Sequence, residues 1–183
     1  MEKQEDEERP TRRISLWRHG IGAVALIILG LIFVGFASGR IGNYEVISNS
    51  MAPTLQKGDR VLVDQDSDYE PKVGHVVVFS DPLGSDQLLT KRVAALEGET
   101  LRFDDGHFLV EDREWAPLGE PVRFYDGDFL LASETLGRRE VFVLGDNVGH
   151  SEDSLIFGPI MESSIKGRLK FIYWPPGRVG WVR

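Results

Sequence analysis

The chain has 183 residues, 42% of them apolar, with 29 acidic against 21 basic side chains and a net charge of −8. That length and composition allow one packed domain plus an appendage and exclude a disordered chain, while the acidic balance excludes nucleic acid as a partner, because phosphate binding needs clustered Lys and Arg. With no cysteine present, disulfides, thiol catalysis and thiolate metal sites are excluded together, and the redox compartment stays open.

Residues 1–19 read as a charged tail, with the cluster Glu5-Asp6-Glu7-Glu8 followed by Arg12, Arg13 and Arg18. Residues 20–39 carry no charge and are dominated by Ile, Leu, Val, Ala, Phe and Gly. As a helix this run measures about 30 Å, the thickness of a bilayer's hydrocarbon core, so it predicts a transmembrane helix. Arg12, Arg13 and Arg18 precede it and only Arg40 follows closely, which puts the N-terminus in the cytoplasm and residues 40–183 outside the cytoplasmic membrane. The acidic cluster counts for little in that rule. The run ends on Gly35-Phe36-Ala37, small at the first and third positions as at a secretory cleavage site. It is longer than the roughly 7–15 apolar residues of a signal peptide, which favours a retained anchor. A buried helix of a soluble domain fits less well, because the run has no polar face.

From Tyr44 onward, short β-branched runs alternate with turn residues. Arg60-Val61-Leu62-Val63, His75-Val76-Val77-Val78-Phe79, residues 88–93, Val141-Phe142-Val143-Leu144 and residues 169–174 predict strands. Residues 99–103 and 107–110 flank Asp104-Asp105-Gly106, where Asp-Gly predicts a tight hairpin. Residues 104–139 are rich in Gly, Asp and Glu with irregular strand signals, and read as an excursion from the main sheet. The pattern as a whole predicts a mainly β fold, antiparallel and partly closed, behind one N-terminal transmembrane helix.

Three separated stretches carry chemistry. In Ser48-Asn49-Ser50-Met51-Ala52-Pro53 the proline biases its neighbour away from helix, leaving two hydroxyls on a non-helical segment whose backbone N–H groups are free to meet an oxyanion. Acyl transfer by serine then needs a base, and the chain offers four histidines or Lys91. His19 borders the apolar run, His107 the hairpin turn and His75 a strand start. His150 stands beside Ser151, with no acid partner at a spacing that would make a triad. A lysine acting as base at pH 7 must be neutral, which costs an unperturbed amine about 4–5 kcal/mol. The apolar neighbours Leu88-Leu89 and Val93-Ala94-Ala95-Leu96 are what desolvation of Lys91 requires. The third stretch is Gly145-Asp146-Asn147 followed by Ser151-Glu152-Asp153-Ser154. No cofactor is called for. A metal reading of Asp146, His150 and Asp153 rests on ligand type alone, since all three lie in one loop without a further His or carboxylate signature.

With Ser50-Met51-x-Pro53-Thr54-Leu55, Gly74-x-Val76-Val77-Val78-Phe79, Lys91-Arg92-Val93 and Gly145-Asp146-Asn147 in this order, the chain resembles the bacterial type I signal peptidases from about Ser48 to Trp174. The resemblance implies a membrane-bound endopeptidase with a Ser-Lys dyad that removes signal peptides from exported preproteins. It implies Ser50 as nucleophile, Lys91 as general base, Ser151 as the hydroxyl that orients the amine, and Ser48 with the Ser50 N–H as oxyanion donors. Asp146, Asn147 and Asp153 would form the supporting loop, and residues 104–139 the family's variable insert. Its partners would be preprotein signal peptides and the lipid bilayer, with association to the protein-export machinery left open. The chain departs from the family at three positions: Val148 and Leu155 stand where arginines are usual, the second of which pairs with the aspartate matched by Asp153, and His75 stands where Asp is common. Those departures keep two alternatives in view, a peptidase dedicated to one conjugative or secretion system, and a weakened relative that binds peptides or aids assembly.

Overall fold

A computed structural model describes residues 13–104, 106–118, 134–147 and 149–183. Most of the charged tail, including Arg12, the hairpin residue Asp105, residues 119–133 of the excursion, and Val148 lie outside the described residues. The chain divides into two compact units, Met1–Gly39 and Arg40–Arg183.

The first unit holds helix α1, Arg13–Ala37. Its stretch Gly20–Ala37 is long and apolar enough to cross a bilayer. The helix begins seven residues before the predicted span, because nothing in Arg13–His19 breaks a helix.

The second unit is mainly antiparallel β. Its strands are β1 Ile41–Glu45, β2 Arg60–Asp64, β3 Val76–Ser80, β4 Leu88–Ala95, β5 Thr100–Asp104, β6 His107–Val110, β7 Arg113–Glu114, β8 Glu134–Thr135, β9 Glu140–Leu144, β10 Ile160–Met161, β11 Ile165–Trp174 and β12 Gly180–Trp181, with one helical turn, α2 Ser154–Phe157, before β10. The larger sheet runs β1-β2-β11-β3-β4-β9-β10, with β12 on β11, and curls into a half-barrel. A smaller sheet runs β7-β6-β5-β8. Its β5–β6 hairpin pairs Asp104 with His107 across the predicted turn.

The valine-rich runs are continuous rather than alternating because their strands are covered on both faces. Val76 and Val78 of β3 enter one core with Met51, Leu55, Val61, Val63 and Leu169. Val77 and Phe79 enter another with Val93, Val141 and Val143. Phe142 and Leu144, from the opposite face of β9, meet Leu101 and Phe108 of the smaller sheet and Trp115 just after β7. Two strands reach clearly further than predicted: β4 runs on to Ala95 rather than Val93, and β11 starts at Ile165, not Leu169. Gly167 is needed within the strand, since a Cβ there would collide with the Asp64 carbonyl of β2.

Candidate active site

Ser50 lies in the connection from β1 to β2. Val46 N–H to the Asp59 carbonyl and Gly58 N–H to the Val46 carbonyl, both 2.8 Å, close the base of that loop. Met51 and Leu55, 2% and 0% exposed, sink from it into the first core. Burying these two anchors leaves Ser50 between them and the surface, with its Oγ 3.3 Å from that of Ser48.

Lys91 lies on β4 opposite Val77 of β3. On its other side β4 pairs with β9 only from Arg92 onward. Lys91 therefore stands where β9 peels away, and the loop that follows β9 fills the space. Lys91 is 3% exposed, and its amine donates to Ser151 Oγ at 2.9 Å. Burial pushes its pKa below the usual lysine value, while the carboxylates of Asp153 and Glu152 pull the other way. Ser48, Ser50, Lys91 and Ser151 line one cleft of about 640 Å³, whose apolar floor includes Val46, Met51 and Val78.

The loop after β9 grips the Ser50 loop directly. Asn147 N–H donates to the Ser50 carbonyl at 3.0 Å, and Asn147 Nδ2 to the Asn49 carbonyl at 2.9 Å. Asp146 is held by Arg92, Nε to Oδ1 at 2.8 Å and Nη2 to Oδ2 at 2.6 Å, and accepts from Thr54 Oγ1 at 2.5 Å. Arg92 Nη1 also donates to the Gly74 carbonyl at 2.8 Å. One buried guanidinium thus touches a residue from each of the other three sequence motifs. Sequence reasoning quoted Arg92 and Thr54 without giving either a task. The available signal was two adjacent cations in an apolar strand: alternation turns Lys91 and Arg92 to opposite faces, so at least one of them must point inward. Arg178, also unassigned, braces the Ser50 loop from the far side through Asp59 at 2.8 Å and the Thr54 carbonyl at 3.0 Å.

Because Arg92 and Asp146 side chains are 2% and 0% exposed, Asp146→Ala should destabilise the fold by about 3–5 kcal/mol, chiefly by stranding a buried guanidinium. Thermal or urea unfolding measures this. A loss no larger than that of a surface Asp→Ala change would contradict the paired geometry.

The departures have structural answers at two positions. Asp153 has no arginine partner among the described residues. It caps α2 by accepting from Leu155 N–H at 3.2 Å and from Gly145 N–H at 3.0 Å, and the Leu155 side chain packs on the core beneath the smaller sheet. An apolar contact thus stands where the ion pair would be. His75 stacks on Tyr69 and shares a 2.9 Å hydrogen bond with its hydroxyl. Burial first, then Arg168, Lys72 and Lys170, lower its pKa to about 4, so it is neutral at pH 7. His150 lines the cleft but makes no side-chain hydrogen bond among the described residues. Asp146 and Asp153 are committed to Arg92 and to backbone amides, and no group of three His, Asp or Glu placed to hold a metal occurs among the described residues.

The family profile described as "Signal peptidase, peptidase S26" matches residues 18–174. Over 147 residues the chain is 35% identical to thylakoidal processing peptidase 1 of Arabidopsis thaliana, a match covering 74% of this chain and 42% of that protein. It thus spans less than half the length of that relative. It is 34% identical over 142 residues to the probable signal peptidase I-1 of Synechocystis sp., covering 73% and 71% of the two chains. It is also 34% identical over 139 residues to signal peptidase I V of Bacillus subtilis, covering 68% and 81%.

Proposed function

The chain belongs to the signal peptidase family, peptidase S26, and from that premise we propose that it is a membrane-anchored serine endopeptidase that removes N-terminal signal peptides from exported preproteins. Ser50 is the nucleophile and Lys91 the base. The observation that carries the reading is the buried Lys91 amine, aimed by Ser151 Oγ at 2.9 Å and lining the same cleft as Ser50.

In this reading neutral Lys91 takes the proton of Ser50 Oγ as that oxygen attacks the scissile carbonyl carbon. The Ser50 N–H and Ser48 hydroxyl receive the developing oxyanion. As the peptide C–N bond breaks, the Lys91 ammonium returns its proton to the leaving amine, giving an ester on Ser50. Lys91 then takes a proton from a water as it attacks the ester carbonyl, and returns it to Ser50 Oγ as the acyl C–O bond breaks, which frees Ser50 and restores the neutral amine. The substrate lies extended in the cleft, where residues 88–90 of β4 have no β9 partner and residues 47–48 continue beyond the end of β1. Strand addition to such edges gives affinity from the backbone, and shallow apolar walls then select small side chains.

Incubation of the purified full chain in detergent with a preprotein should yield one defined cut before the mature sequence. Failure to cut any preprotein would sink the proposal.

The rate should rise with pH along a limb set by Lys91, because only the neutral amine accepts the proton and burial lowers its pKa. Glu152→Gln removes a carboxylate that favours the ammonium, so the limb should move to lower pH. A limb unmoved by that change, or one with the midpoint of a free histidine, would count against Lys91.

The anchor reading places the N-terminus in the cytoplasm and residues 40–183 outside. Protease added to intact spheroplasts should then digest the β unit and spare the tail. Protection of the β unit would contradict this orientation.

A further inference from the structure

The cleft wall carries a carboxylate that the proposed reaction leaves unused. Three ordinarily charged side chains line the cleft among the described residues: Glu45, Lys91 and Glu152. Glu45 faces Arg60 at 3.6 Å. Lys91 is buried and must be uncharged to work. Glu152 makes no salt bridge or side-chain hydrogen bond among the described residues, and its field reaches the Lys91 amine. In the working state the cleft therefore carries a negative charge at Glu152 that no salt bridge among the described residues cancels.

The placement of Glu152 says which substrate residues feel that charge. Ser50 and Lys91 stand at the ends of the two segments, 44–48 and 87–90, that line one part of the cleft. Residues 149–152 line another part of its wall. A peptide whose residues before the cut run along the first two segments must lead the residues after the cut past Ser151 and Glu152. Resting on the peptidase reading, we infer that Glu152 is a specificity-determining residue that bars acidic side chains from the first two positions after the scissile bond, so that the substrate class is preproteins whose mature chains begin without Asp or Glu. Like charges brought together at the cleft wall repel, and discrimination built from such repulsion needs no added attraction for the right substrate.

The test uses the full chain in detergent and a matched set of peptides carrying Glu, Gln or Lys at the first or second position after the cut. It is run at low salt and at a pH above the alkaline limb, so that the titration of Lys91 does not enter. The wild-type chain should show a kcat/KM for the Glu peptide about fivefold or more below that for its Gln counterpart, as expected for one unscreened like-charge contact. In Glu152→Gln that ratio should collapse to less than about twofold, and in Glu152→Lys it should invert, each ratio being internal to one variant and so insensitive to its overall activity. High salt should shrink the wild-type ratio. Equal kcat/KM for Glu and Gln peptides in the wild type, or a ratio that survives unchanged in both variants, overturns the inference while leaving the peptidase reading intact. No cleavage of any peptide overturns both.

Discussion

Replacing Lys91 by Met should lower peptide cleavage by at least about 10³-fold, and Ser50→Ala should do the same, because a nucleophile and its base act as a unit and their losses do not add. The double variant should be no worse than either single one. Lys91→Met is the informative substitution, because the site is 3% exposed and methionine fills similar volume without an amine. The folded-state pKa of Lys91 lies below its unfolded value, so between the two the unfolded chain binds more protons. Wild-type stability should consequently rise with pH across that window. Below the folded pKa the cost of burying or neutralising the amine is fully present, and above the unfolded pKa it is gone. Lys91→Met should lose that pH dependence and be at least as stable as wild type near pH 7. Substantial turnover in either single variant would remove the dyad, and an inactive, unfolded Lys91→Met would show instead that the amine is structural.

The second large effect is expected at Gly145, where a single added methyl group should damage catalysis without touching a reacting atom. A Cβ on Gly145 would collide with the Ser151 side chain and with the Ser50 carbonyl oxygen. Gly145 is thus a point where the loop after β9 passes close against the Ser50 loop, and only the absence of a side chain permits it. In Gly145→Ala one or both neighbours must move. That shift disturbs the 3.0 Å bond from Asn147 N–H to the Ser50 carbonyl and the 2.9 Å bond that aims Lys91. A displacement near 1 Å at such a constellation costs on the order of 10²-fold in rate, and overpacking costs about 1–3 kcal/mol of stability. The loss should fall mainly on kcat, because the segments at 44–48 and 87–90, to which the proposed reading assigns the peptide, are untouched. Wild-type kcat and Tm in Gly145→Ala would contradict the close approach.

Much of this protein is readable from local pattern. The uncharged run at 20–39, the valine runs that became β3 and β9, and the Asp-Gly hairpin depend on residues within a few positions of one another, so composition and spacing sufficed. The chemistry-bearing stretches were visible as residue types at fixed positions. What no local pattern contains is their meeting. Lys91 reaches Ser151 across 60 positions, Arg92 reaches Asp146 across 54, and Thr54 reaches Asp146 across 92. The hub role of Arg92, the backbone amides that hold Asp153 in place of an arginine, and the demand for glycine at 145 and 167 all follow from which segments the curled sheet brings together. The sheet also decides which charges are buried. A lysine in a strand is ordinarily a solvated side chain, and Lys91 becomes a buried amine with a lowered pKa only because β9 leaves β4 at that residue and the following loop closes over it. Strand pairing and packing therefore supplied the electrostatics, whereas the order of residues along the chain supplied the groups on which they act.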